Sequence, residues 1–367
     1  MSAAVPEGGA AATGSTVVLR PIEAPDRIGI PESADLEAYA DLARRIQLET
    51  IGTDEFSWSA AELAVLGGNP YLERHRFGIF DDGRLVAATA AWWEREDDDG
   101  APMITMVGVD PAHRRRGLGG RVLDAVEAAA RDAGRKSTIL ISEHRTDDGA
   151  GERLHAPQGG ASLPAGAPSV RFARSRGYDL GQLLVASVLP VGGAGPRFRR
   201  LAEQAARTDG YRLELWRDRT PAEHLDAFAA ARSQMVAEAP SGAVDFPDEH
   251  WDAARILDEE ARALEAGRSH LTVAAVAADG EVAGFTILTL APGKRAAYQD
   301  DTLVLGPHRG HGLGLRMKLA NLVALADAAP ERTDVYTWNA DENGPMLAIN
   351  RELGFRPHSI QATWQRG

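Results

Sequence analysis

The 367-residue chain contains no cysteine, which excludes disulfides, thiolate metal sites and a cysteine nucleophile. It has no apolar run near the ~18 residues that a membrane-spanning helix requires, so no membrane partner is expected. Positive charge is scarce: 40 Lys and Arg stand against 53 Asp and Glu, a net charge of −13. A nucleic-acid partner is not expected either, since it demands a basic face to neutralise phosphates. An acidic field mildly favours cationic amines instead. Residues 1–15 are rich in Ala and Gly and lack the basic start and long apolar core of a secretion signal. They read as a disordered tail, and the expected location is cytoplasmic. The group His144, Asp147, Asp148, Glu152 and His155 has no zinc-ligand spacing, so no metal is expected.

What remains is an ordinary globular composition, 44% apolar and 25% charged, long enough for two or three domains of ~100–200 residues each. One short segment occurs twice. Val107-Gly108-Val109-Asp110-Pro111-Ala112-His113-Arg114-Arg115-Arg116-Gly117-Leu118-Gly119-Gly120 returns as Thr302-Leu303-Val304-Leu305-Gly306-Pro307-His308-Arg309-Gly310-His311-Gly312-Leu313-Gly314. Arg114, Gly117 and Gly119 recur as Arg309, Gly312 and Gly314 at one constant offset. Each copy follows an apolar strand-like run and precedes an amphipathic helix; in the first, Leu118, Val122, Leu123, Val126 and Ala129 share a face. A strand, a basic glycine turn and a helix N-terminus form a phosphate cradle. Glycine lets the backbone come close, free N–H groups point at the anion, and the helix dipole favours negative charge.

This Arg-x-x-Gly-x-Gly after a Val-rich strand resembles the acyl-CoA pyrophosphate loop of the GNAT acyltransferase superfamily. Two copies imply two consecutive GNAT-like domains covering nearly the whole chain. The fold implied is α/β, an α+β mixed sheet in each domain, splayed at its middle so that acyl-CoA inserts between two strands. The expected division is an N-terminal domain over 16–190, a linker over 191–200 and a C-terminal domain over 201–367. Gly192-Gly193-Ala194-Gly195-Pro196 breaks the pattern at the linker.

The element order supports two like halves. Strands are expected at 17–22, 103–109, 137–142 and 183–189, and helices at 36–49, 60–66 (capped by Ser59), 117–133 and 169–176. A hairpin is expected around Asp82-Gly83. The stretch 144–168 shows no periodicity and reads as a long loop, of a length usually mobile or functional. The second half repeats the order: strands at 211–215, 302–305, 334–338 and 359–364, helices at 222–235, 251–266, 312–328 and 345–353, and a hairpin around Asp279-Gly280.

The resemblance implies direct attack of a neutral amine on a thioester, with a backbone N–H near Val109 or Val304 polarising the carbonyl. A base takes the ammonium proton, and a Tyr four residues before a Gly-Phe pair acts as acid. Tyr298-Gln299-Asp300-Asp301 precedes the second cradle, whereas Met103-Ile104-Thr105-Met106 precedes the first and offers no carboxylate. Adjacent strand positions point to opposite faces, so one of the two acids faces inward in either register. Asp301 is the first candidate base and Asp300 the second. Thr302, Leu303, Val304, Arg309, Gly310, His311, Gly312, Leu313 and Gly314 are the expected cofactor residues of the second half. Val107, Val109, Arg114, Arg115, Gly117, Gly119 and Gly120 are those of the first. Asn339 is placed to bond the cofactor's pantetheine arm, and Asn343 to cap the following helix and touch the cofactor. The family's Tyr position holds Asn350 in one half and Ala173 in the other. The expected function is therefore N-acetyl transfer from acetyl-CoA, or another short acyl-CoA, to a small-molecule amine. The C-terminal half would be catalytic and the N-terminal half not. A non-catalytic acyl-CoA- or metabolite-binding protein and an acetyltransferase of protein or peptide amines are the alternatives.

Overall fold

The computed structural model describes residues 17–95, 102–146, 151–246 and 249–367; the expected tail at 1–15 lies outside them, as do Asp147 and Asp148. The N-terminal half opens with β1 (Val17–Pro21), α1 (Ala34–Ile51) and α2 (Ala60–Gly67). Ser59 caps α2 through the Glu62 backbone N–H, and Glu62 reaches back to the Ser59 N–H, a reciprocal pair that satisfies two otherwise orphaned donors. β2 (Leu72–Asp81) and β3 (Arg84–Glu94) form the first hairpin. Asp82 and Gly83 both take positive φ at its turn (49° and 81°), as a two-residue turn of matching twist requires. β4 (Met103–Val109), α3 (Leu118–Asp132) and β5 (Thr138–Arg145) follow. The expected loop at 144–168 carries a small hairpin, β6 (Arg153–His155) with β7 (Ser162–Pro164). α4 (Pro168–Ser175) and β8 (Asp179–Pro190) end this half.

Most of the expected linker is helical: α5 spans Gly195–Ala205, with Pro196 near its start where the missing N–H costs nothing. β9 (Arg212–Arg217) comes next; the single helix expected at 222–235 is broken into α6 (Leu225–Ser233) and the short α7 (Met235–Glu238). α8 (Ala253–Glu265), the hairpin β10 (Ser269–Val276) and β11 (Val282–Leu290), then β12 (Ala296–Val304), α9 (Leu313–Ala328), β13 (Asp334–Ala340), α10 (Gly344–Leu353) and β14 (Arg356–Arg366) complete the chain.

The sheet is mixed and runs β1-β2-β3-β4-β5-β14-β8-β13-β12-β11-β10-β9. Read from either edge, that order is the same succession of equivalent elements, so the halves are related by a pseudo-two-fold at the centre. The last strand of each half has crossed over: β14 pairs with β5, and β8 pairs with β13. Trp364, at the chain's end, is fully buried in the N-terminal core beside Leu123, Val126 and Leu140. Leu189 and Phe198 sit in the C-terminal core with Leu319, Leu322 and Val335. Each core is thus completed by a strand or helix from across the middle of the sequence.

Candidate active site

Both glycine cradles form, and they match closely. Gly117 and Gly312 are the N-caps of α3 and α9, at φ 76° and 69°, and neither helix has a side-chain cap. The first N–H groups of both helices are therefore left for an external acceptor. A Cβ at Gly117 or Gly312 would meet nothing within 4 Å, so positive φ, not crowding by protein, demands glycine, and the space above each turn is free. Such a turn fits a phosphate. Arg114 Nε donates to Val109 O and Arg309 Nε donates to Val304 O, each at 3.2 Å. Their guanidiniums are tied to Glu49 and Glu238. Both arginine side chains are thus held by protein acceptors at the turn. His113 lies against Asp110, and His308 sits between Tyr211 and Glu281. His311 packs beside the Tyr211 ring. The halves differ at the turn: Arg115 takes φ 64° where the second loop has Gly310 at 87°.

Beside each cradle the sheet opens. The parallel β4–β5 ladder ends at Met106↔Ile141, and the β12–β13 ladder ends at Gln299↔Thr337. Beyond these points the paired strands diverge in the splay expected above. Asp110 N bonds Val86 O and Leu305 N bonds Ala283 O on the hairpin side. Strand alternation then turns the N–H groups of Val107, Val109, Thr302 and Val304 toward the two gaps.

The gap chemistry separates the halves. β3 and β4 pair in unbroken register from Trp92↔Ile104 to Ala87↔Val109. β11 and β12 shift between Thr286↔Thr302 and Leu288↔Gln299, so Asp300 and Asp301 together oppose Ile287 in a β-bulge. Neither acid simply faces away, as plain alternation would have it. Asp300 accepts from Thr289 Oγ1 on β11, and Asp301 lies 3.5 Å from Arg232 on α6. Both carboxylates serve the face covered by α6 and α8. Thr105 and Gln299 occupy equivalent ladder positions, opposite Ala91 and Leu288. The N-terminal counterpart of the acidic pair is thus Met106, which is 41% exposed.

Asp300 has its pKa raised to about 7, first by burial and further by Asp301, against the Thr289 hydrogen bond. It keeps exposed surface, so it is a carboxylate in an open recess and not one sealed in the core. Burial also raises the pKa of Asp301, and Arg232 opposes the rise. Arg232 is held over the Trp251 ring and between Asp301 and Glu259. Next to it a cavity of about 20 Å³, room for about one water, is lined by Trp216, Phe228, Glu259, His270 and Ile287.

Downstream, Asn343 caps α10 by accepting from Met346 N at 3.2 Å. Asn339 lies two residues past the end of the ladder, and its Oδ1 accepts from Asn350 Nδ2 at 2.6 Å. Leu303 and Leu313 are buried in the core, so they shape the loop from behind. Gly119 and Gly314 keep α3 and α9 close to their neighbours: a Cβ would meet Phe172 at 3.5 Å in one and Ile349 at 3.1 Å in the other. Gly120 faces Arg176. The β6–β7 hairpin reaches across the middle, where the N–H groups of Gly160 and Ala161 both bond Asp341 Oδ2. Three features had no signal in sequence: the bulge, the buried Lys318 of α9, and Glu143 of β5. Glu143 stands two residues past the first ladder's end, with its pKa raised to about 7 by burial.

A sequence profile of the Acetyltransferase (GNAT) family matches residues 42–159, which take in the first cradle. A tandem GNAT protein from the clavulanic acid biosynthesis pathway superposes with a TM-score of 0.70 at 25% identity, over 96% of this chain and 98% of that one. Residues 42–159 thus carry the GNAT family pattern, and the chain as a whole has the fold of a tandem GNAT protein. The mycothiol acetyltransferase of Clavibacter sepedonicus is 28% identical over 290 residues, 78% of each chain. A GCN5-related N-acetyltransferase from Sphaerobacter thermophilus shares the fold, with a TM-score of 0.61 at 14% identity over 95% of both chains. The profile falls on the half without the acidic bulge. No helix among the described residues is long and apolar enough to cross a membrane.

Proposed function

We propose that this GNAT protein is an acetyl-CoA-dependent N-acetyltransferase of a small amine, with chemistry in the C-terminal half. In this reading 16–190 and 201–367 are two units that have exchanged their final strands. The observation that carries it is the bulge, which brings two carboxylates to one face of a splayed gap beside a glycine cradle. When bound, acetyl-CoA supplies the activated acetyl group as a thioester. The N–H groups at the start of α9 would hold its phosphates, and the gap-facing N–H groups of Thr302 and Val304 are suited to a carbonyl oxygen. Asp300 is the better base of the pair. Among the described residues it forms no ion pair, Arg268 acting on it only from a distance, and a pKa of about 7 suits it to take a proton at neutral pH. Asp301, the first candidate from sequence, is committed to Arg232 and would orient the incoming ammonium group. No phenol stands at Asn350 or Ala173, so neither position would supply a proton to the leaving thiolate.

The mycothiol acetyltransferase resemblance favours a small acceptor over a protein amine, as does the hairpin docked on Asp341. A non-catalytic acyl-CoA binder is the competing reading, favoured by the missing phenol. Thiol release from acetyl-CoA across polyamines, amino sugars and amino acids separates them. Amine-dependent release supports the enzyme; cofactor binding with no release from any amine supports the binder.

A further inference from the structure

Lys318 stands out among the buried groups that the proposed chemistry does not use. It lies on α9 with 1% of its surface exposed, and Asn350 of α10 is 3% exposed. Lys318 Nζ donates to Asn350 Oδ1 at 3.1 Å, and Asn350 Nδ2 donates to Asn339 Oδ1 at 2.6 Å. The ring of Phe355 is 5.9 Å from Nζ. Among the described residues no charged group on α5, α9, α10 or β11–β13 acts on this lysine, and burial pulls its pKa down to about 7. Burying an amine without a counter-charge is costly, and its hydrogen bond to Asn350 recovers only part of that cost. Stability therefore does not account for it.

The chain of hydrogen bonds has a direction. An ammonium only donates, so Asn350 must turn its oxygen to Lys318 and its NH2 to Asn339. Asn339 then spends its oxygen on Asn350 and keeps its own NH2 for other partners. Asn339 shares strand parity with Val335, which packs in the core beneath α9, and lies just past Gln299↔Thr337, where β13 parts from β12 while remaining paired with β8. We propose that Lys318 is a positioning residue of the cofactor gap: through Asn350 it makes Asn339 present an N–H donor to the space between β12 and β13. The ligand chemistry this selects is a chain bearing carbonyl acceptors, as the amide arm of an acyl-CoA does. The proposal rests on reading the C-terminal gap as the acyl-CoA site. Without the ammonium, either end of the Asn350 amide can face Asn339, and the donor is no longer fixed.

The test is acetyl-CoA binding by calorimetry, in a Gly117→Asp background so that the C-terminal cradle alone reports. Lys318→Met should fold and weaken binding roughly 3- to 30-fold, inside the span of couplings between contacting residues. Asn339→Leu should weaken it similarly, and the double variant should be no worse than Asn339→Leu. Asn350→Asp gives Lys318 a counter-ion but no donor for Asn339, so it should match Lys318→Met in affinity while melting no lower than wild type. This variant carries the test should Lys318→Met not fold. Affinity in the parent should fall as pH rises above 7, and that fall should be absent in Lys318→Met. Unchanged affinity in Lys318→Met, or additive losses in the double variant, would overturn the role of Lys318 with the cofactor site left standing. Absence of acetyl-CoA binding in the parent itself would overturn the site and this role together.

Discussion

The two halves share a cradle and differ at the neighbouring strand. On β4 the register is unbroken and Met106 faces the opening; on β12 one extra residue creates a bulge that holds Asp300 and Asp301. Holding phosphate and accepting a proton are therefore separable in this architecture. The first depends on a helix start and the positive-φ glycine that caps it, and the second on a single local irregularity in a strand.

Removing both acids should have the largest effect. Asp300→Asn with Asp301→Asn should lower kcat by ~10²–10⁴-fold, the usual contribution of a general base, and leave the acetyl-CoA affinity near wild type by calorimetry. Full activity in the double variant would discard the acidic bulge as the catalytic feature. Of the singles, Asp300→Asn should carry most of the loss. The wild-type rate should rise with pH through about 7 as Asp300 ionises, and Asp301→Asn, which removes a neighbouring negative charge, should move that rise to lower pH.

Stability should move the opposite way. The Asp300 carboxyl titrates higher in the fold than its ordinary 3.8, so its ionisation opposes folding as pH climbs from about 4 to 7. Asp300→Asn should therefore raise Tm at pH 8 and leave it unchanged at pH 4. A loss of Tm at pH 8 would mean that the Thr289 contact outweighs the burial of charge. Met106→Asp asks whether an acid suffices without the bulge. No gain in turnover is expected beyond twofold, because plain alternation leaves a single carboxylate where β12 carries a pair. The smallest effect lies in the turn. Arg115→Gly should stabilise by about 1 kcal/mol by relieving a left-handed non-glycine residue, and Gly310→Arg should destabilise by a similar amount, both read from urea midpoints.

Much of this was legible in the sequence. The repeated Arg-x-x-Gly-x-Gly located both cradles because positive φ and a helix start have strong local signatures. The Asp82-Gly83 turn and the Ser59 cap are equally local. The exchange of β8 and β14 was not legible, since strand pairing across the middle leaves no mark on periodicity. The helix at Gly195–Ala205 was hidden by the Gly-Pro cluster that begins it. The bulge escaped for a related reason: Asp300-Asp301 read as two alternating positions, and only the pairing with Ile287 shows one residue too many. Lys318 read as one more polar residue of an amphipathic helix, while α9 in fact buries both sides of itself between α5, α10 and the sheet.

The central claim is that turnover belongs to the half with the bulge, and cradle disruption tests it most directly. Gly312→Asp and Gly117→Asp each put a carboxylate and a Cβ where phosphate should lie. Acetyl-CoA-dependent thiol release, measured with the best amine of the panel, should be abolished by Gly312→Asp and retained by Gly117→Asp with both proteins folded. Loss of turnover in Gly117→Asp with full activity in Gly312→Asp would place the chemistry in the N-terminal half and contradict the account.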